Sequence, residues 1–267
     1  MWQTEISTLQ REFPALGSHI KEGIEAMNRT VGVDSLSPVT PELIAQATTT
    51  LGQCPSFWGR YFTSPTTEGS GEYHHATESP VLAAAGIRVL PIARQTNRVG
   101  GTYSDGFNDG QANVQDLDDT FGAAYLNQCI VPALGRLYLF LDVEGSGLSH
   151  LSVDYYEGWC DALDGSAFCA CVYGIPGDTA TWTALKWACA HDRCCSALWL
   201  SHPIRQPAEP QGWSSDMLKP FQDFGIKIAL WQYAFGGMFD RDLLNPNEPW
   251  LDQNYFLQHL ILPQSGA

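Results

Sequence analysis

Positive charge is what this chain has least of. Fourteen Lys and Arg stand against 29 Asp and Glu, for a formal net charge of −15. Binding nucleic acid or an anionic membrane surface requires a basic patch to neutralise phosphates. Neither is expected as a partner here. Neutral or cationic ligands stay open, and so does a basic protein partner. Long apolar runs are also missing: no stretch reaches the ~18 residues that a transmembrane helix needs. The opening MWQTEISTLQREFPALG has no basic start followed by an apolar core, so no ordinary secretion signal is expected. The eight cysteines form no C-x-x-C pair. Buried thiols are the expectation, and Cys189-x-His191-x-x-Cys194-Cys195 is too short and local for a metal site. A G-x-G-x-x-G turn and a P-loop are both absent, which removes the usual signs of an open nucleotide-binding sheet. No metal and no cofactor is expected.

What is present is enough apolar material for a large core: 44% of 267 residues are hydrophobic and only 16% charged. That length suits one α/β barrel. Short apolar strands alternate with helical segments along the chain. Strands are predicted at 30–35, 57–62, 88–95, 136–145, 167–174, 197–202 and 227–233, with a short eighth at 239–244. Helices are predicted from Pro41, over 78–85, 109–129, 152–163, 179–191 and 213–224, with a long loop at 96–108. Pro91 sits awkwardly in the third strand. The alternation calls for parallel pairing and right-handed crossovers. The expected fold is therefore a single (β/α)8 TIM-type barrel, or a variant with seven to eight strands, over 29–267. Residues 1–28 are read as an N-terminal extension or a helix across the barrel bottom.

The stretch Arg136 to Gly145 carries the chemistry. An apolar run, costly to interrupt with charge, leads straight into Asp142, Val143 and Glu144. Two residues apart on a strand means one face, roughly 6–7 Å along the backbone. Sites of parallel α/β folds lie at the carboxyl ends of the strands. Those ends supply Asp34, Arg60, Tyr61, Gln95, Asp142, Glu144, Tyr173, His202, Trp231, Gln232 and Tyr233, with Asp240 and Asp242 following. Carboxylates, amides and aromatic rings are what a carbohydrate site requires. Each residue also has a plainer use. Asp34 suits a helix cap, the 142/144 acids suit an ion pair with Arg60 or Arg94, Trp231 and Tyr233 suit a core, and His202 suits a structural role.

Gly32-Val33-Asp34-Ser35, Asp142-Val143-Glu144 and Trp231-Gln232-Tyr233 followed by Asp240 resemble glycoside hydrolase family 25 lysozymes. Trp58-Gly59-Arg60-Tyr61-Phe62 and the segment Glu78 to Ile92 resemble the related bacterial glycoside-hydrolase-like domains of unknown function. The resemblance covers about residues 30 to 245. It implies a muramidase acting on peptidoglycan, with Glu144 as general acid, Asp142 stabilising an oxazolinium or oxocarbenium-like intermediate, and Asp34 and Asp240 lining the site. Asp242 stands in if Asp240 is out of register. Arg60, Tyr61, Gln95, Tyr173, Trp231, Gln232, Tyr233 and Asp242 are expected at the substrate. The alternatives are an inactive cell-wall-binding barrel and a structural or effector module of a phage or secretion system. The expected location is cytoplasmic synthesis, with any export by phage lysis or contact-dependent secretion.

Overall fold

The computed structural model describes residues 30–62, 72–95, 97–143, 149–193, 195–201, 226–245 and 253–265. The barrel belongs to one compact unit, Val31–Ala267. Its elements are β1 (Val31–Asp34), α1 (Pro41–Leu51), β2 (Phe57–Phe62), α2 (His75–Ala85), β3 (Arg88–Ala93), α3 (Tyr103–Phe121), α4 (Ala123–Cys129), β4 (Leu137–Val143), α5 (Val153–Leu163), β5 (Phe168–Gly174), α6 (Thr179–Ala190), β6 (Leu198–Ser201), β7 (Ile228–Ala234), β8 (Asp240–Leu244) and α7 (Gln253–Gln258). The eight strands close into one barrel in sequence order. The expected extension at 1–28 and helix at 213–224 lie outside the described residues. Among those described, no helix is long and apolar enough to cross a membrane.

β1 to β7 run parallel, but β8 is antiparallel to both β7 and β1. Only Phe235 to Phe239 separate β7 from β8, and a parallel return needs a crossover of a dozen or more residues. The chain can turn back only as a hairpin, and Gly236 and Gly237 take its positive φ angles. The amino end of β8 therefore lies beside the carboxyl ends of its neighbours. Pro91 is tolerated because the β3–β4 ladder begins only at Ile92.

Strand alternation sorts the core into two. Val33, Trp58, Leu139, Leu141, Val172, Leu200 and Trp231 face the helices, packing with Tyr155, Trp159 and Leu185. Phe57, Leu90, Ile92, Tyr138, Phe140, Cys171, Trp199 and Leu230 fill the barrel interior. Phe256 and Leu260 complete that interior from the α7 segment. The Phe256 ring lies 5.5 Å from Phe57, and Val89 and Ile261 exchange backbone hydrogen bonds. The floor of the barrel thus comes from residues 253–262.

The segment read as a long loop turns helical at Tyr103. Thr102 and Asp105 form a reciprocal capping box that starts α3, and Gly122 separates α3 from α4. Gly106 of α3 meets α5 so closely that an added Cβ would collide with the Tyr155 carbonyl. In that contact the buried Asp109 accepts from Tyr155 Oη at 2.9 Å, and Asn113 accepts from Trp159 Nε1 at 3.1 Å. The cysteines at 54, 129, 160, 169, 171, 189 and 195 are free thiols.

Candidate active site

The interior face carries its polar residues at the mouth where the parallel strands end. β4 places Asp142 in register with the inward-facing Tyr138 and Phe140, and Asp142 pairs across the ladder with Tyr173. From β1, Asp34 enters the same interior beside Gly59 of β2. A Cβ at residue 59 would stand 2.6 Å from that of Asp34, so the glycine makes room for the acid. From β8, Asp242 lies opposite Gly32 and Asp240 opposite Asp34. Asp34, Asp142 and Asp242 are 3%, 4% and 0% exposed. Three carboxyls thus share one nearly dry end of the barrel.

A hydrogen-bonded chain links several strands. Gln232 Nε2 donates to Asp34 Oδ2 at 2.9 Å. Gln232 Oε1 accepts from Tyr173 Oη and from Ser201 Oγ, both at 2.8 Å. Tyr61 Oη donates to Asp34 Oδ1 at a longer 3.5 Å. Trp199 Nε1 donates to Asp242 Oδ1 at 3.0 Å. Burial first, and then the charges of Asp34 and Asp240, push the Asp242 carboxyl well above the usual carboxylate range. Two acids that cannot both ionise at short range share their site in this way.

The residues expected at the site divide three ways. Asp34, Tyr61, Asp142, Tyr173, Gln232 and Asp242 are brought to the interior mouth. Glu144 and His202 lie outside the described residues. Five others are placed differently. Arg60 leaves the outer face of β2 and is fully buried against α2. It binds Glu78 in a two-pronged ion pair, Nε to Oε2 at 2.8 Å and Nη2 to Oε1 at 3.0 Å. It also donates to the carbonyls of Ser35 and Glu72. Trp231 and Tyr233 alternate with the inward Gln232, so both face outward and belong to the helix-side core. Gln95 is fully buried, and among the described residues neither of its amide atoms has a hydrogen-bond partner. Asp240 sits at the rim, where its carboxyl accepts from the Gly236 N–H at 3.0 Å and ties the β7–β8 turn. Burial raises its carboxyl above the usual range. Asp242, and not Asp240, is the β8 acid whose carboxyl meets Asp34.

Trp199 and Ser201 were not expected at the site. Their signal is the two-residue step along Ala197-Leu198-Trp199-Leu200-Ser201, which puts the odd-numbered residues inside. Among the described residues, no three His, Cys, Asp or Glu side chains group so as to hold a metal ion. Cys194 of the short Cys/His cluster lies outside them.

The fold and these interior acids define a barrel with an acidic mouth and a reversed last strand. No protein-family model matches the chain, and no curated protein matches it. Among solved structures it is similar to an uncharacterized B. stearothermophilus protein, with 20% identity, a TM-score of 0.60, and coverage of 86% of this chain and 99% of that one. That likeness shows a shared fold. The chain is also similar to the modular Cpl-1 endolysin complexed with a peptidoglycan analogue, at 15% identity and a TM-score of 0.46, covering 82% of this chain and 54% of that one. A muramidase from Acremonium alcalophilum gives 16% identity and a TM-score of 0.48, covering 85% of this chain and 98% of that one.

Proposed function

We propose that this protein is a glycoside hydrolase acting on peptidoglycan or a related amino-sugar polymer. The observation that carries the reading is the gathering of Asp34, Asp142 and Asp242 from three strands at one buried end of the barrel interior. In this reading Glu144, two residues beyond Asp142, donates a proton to the leaving glycosidic oxygen. Asp142 supports the positive charge that develops at the sugar carbon, in a low-dielectric site where a fixed carboxylate acts strongly. An N-acetyl group of the substrate can attack that carbon, so no protein nucleophile is needed. Tyr61 and Tyr173 line the same mouth, with Gln232. The ion pair of Arg60 with Glu78 also supports the reading, because it holds that guanidinium on the other side of the sheet.

The test is loss of turbidity of purified cell walls. Glu144→Gln is expected to clear them at least ~100-fold more slowly than the wild type, the usual worth of a general acid. Equal clearing by both proteins sinks the assignment. Binding of muropeptides by the wild type without any product marks a wall-binding barrel instead.

A further inference from the structure

The Asp34–Asp242 pair has a feature that the proposed reaction does not use. The side chains around it say which of the two acids holds the proton. Trp199 offers only an indole N–H, so Asp242 Oδ1 must be an acceptor. Asp242 Oδ2 is buried and, among the described residues, has no hydrogen-bond partner. Asp242 neighbours the Asp34 carboxyl, whose charge bears on it. A buried oxygen beside a carboxylate, with no donor to accept from, is the natural seat of a proton.

Gln232 decides the other half. Its amide has two orientations, and they carry different protons. In one, Nε2 donates to Asp34 Oδ2, and Oε1 accepts from Tyr173 and Ser201. In the other, Oε1 would face Asp34 Oδ2 across 2.9 Å, which is tolerable only if Asp34 carries the proton. Two hydroxyls aimed at one oxygen favour the first. Tyr61 adds a second donor to Asp34, and Asp240 adds negative charge beside Asp242.

We propose that Tyr173 and Ser201 are positioning residues: through Gln232 they place the single proton of the Asp34–Asp242 pair on Asp242 Oδ2 and keep Asp34 a carboxylate. The four strands β5, β6, β7 and β1 thereby fix a charge at the mouth. Only its use, a preorganised anion facing a cation on the sugar, rests on the glycosidase reading.

The measurement is carbon-13 NMR of the folded protein with labelled Asp and Glu carboxyls, at a pH where surface acids are ionised. The wild type is expected to show one protonated carboxyl from this pair, lost in Asp242→Asn. In the double variant Tyr173→Phe with Ser201→Ala the amide is released, and the proton signal is expected to be shared with Asp34, identified by Asp34→Asn. Gln232→Glu is the second variant, for use if the double variant does not fold. It sets oxygen against oxygen at Asp34, so two protonated carboxyls are expected in place of one. No protonated carboxyl in the wild type overturns the proposal. So does an unchanged spectrum in the folded double variant, or a single protonated carboxyl in Gln232→Glu. No substrate enters these spectra. Absent wall clearing beside the expected NMR pattern refutes the glycosidase reading alone, and clearing without the pattern refutes this proposal alone.

Discussion

β2 carries two buried charged sites, one on each face, a single residue apart. On the outer face Arg60 meets Glu78, and both are 0% exposed. Their remaining atoms are taken up by backbone: the carbonyls of Ser35 and Glu72 accept from the guanidinium, and the N–H groups of Val39 and His74 donate to the carboxylate. Opposite charges cancel, and the pair staples the segment after β1 to the start of α2. On the inner face Tyr61 reaches a cluster of acids. There Asp34 and Asp242 accept from a phenol, an amide and an indole, all neutral, and burial with the neighbouring like charges raises the Asp242 carboxyl. Burial is the same on both faces. The sign balance differs, and it is what separates a structural fastening from a candidate site.

The comparison breaks most visibly at Arg60. Arg60→Met leaves Glu78 buried without its partner, at an expected cost of ~3–5 kcal/mol in urea unfolding. Adding Glu78→Leu removes the stranded charge and is expected to restore most of that loss. A single variant within about 1 kcal/mol of the wild type would mean that the outer pair is not the fastening described.

The inner face is expected to respond with the opposite sign. The folded Asp242 carboxyl binds its proton more tightly than the unfolded one, chiefly through burial. The native state therefore holds the extra proton as pH rises above the unfolded value of about 3.8, and stability declines through that window at up to about 1.4 kcal/mol per pH unit. Asp242→Asn keeps the shape and removes the titration. Its stability is expected to match the wild type at low pH and to exceed it increasingly toward neutral pH. Parallel stability-against-pH curves for the two proteins would contradict the shared-proton description.

Much of the barrel was legible because strands buried on both faces read as apolar runs, and β2, β4 and β5 stand out that way. The reversed β8 was missed as a direction, although the brevity of Phe235 to Phe239 already excluded a crossover. Within the site, nearness to a strand end proved a weaker guide than parity. Once Gln232 is inside, Trp231 and Tyr233 must be outside, and the parity that keeps Tyr61 in sends Arg60 out. The same rule would have included Trp199 and Ser201. The choice between Asp240 and Asp242 depended on the β1–β8 register, which no local pattern carries. Helix α3 was started too late, at residue 109, because 96–108 was read as a loop; the helix carries two glycines, Gly106 and Gly110. Both are required by its close contact with α5, where an added Cβ at either would collide.

The smallest expected effect sharpens the comparison from outside both sites. Asp116 on α3 is only partly buried, yet burial, followed by the charges of Glu72 and Asp119, raises its carboxyl to about 6. Glu72 is the residue whose carbonyl Arg60 holds at 2.8 Å, so the outer fastening helps keep that charge near. The sign is that of Asp242: stability is whole below the unfolded value of 3.8, falls as pH rises through about 6, and is level above it. Solvent screens a surface carboxyl, so the slope is expected to be shallower than that of Asp242. Asp116→Asn should flatten the thermal midpoint between these two pH values and leave the shape of the curve above about 7 unchanged. Glu72→Gln should move the Asp116 midpoint downward by a fraction of a unit, followed by carboxyl NMR. An Asp116 midpoint indifferent to Glu72 would show that its shift comes from burial and Asp119. The acids near the outer site would then titrate independently, while those of the inner site titrate as one.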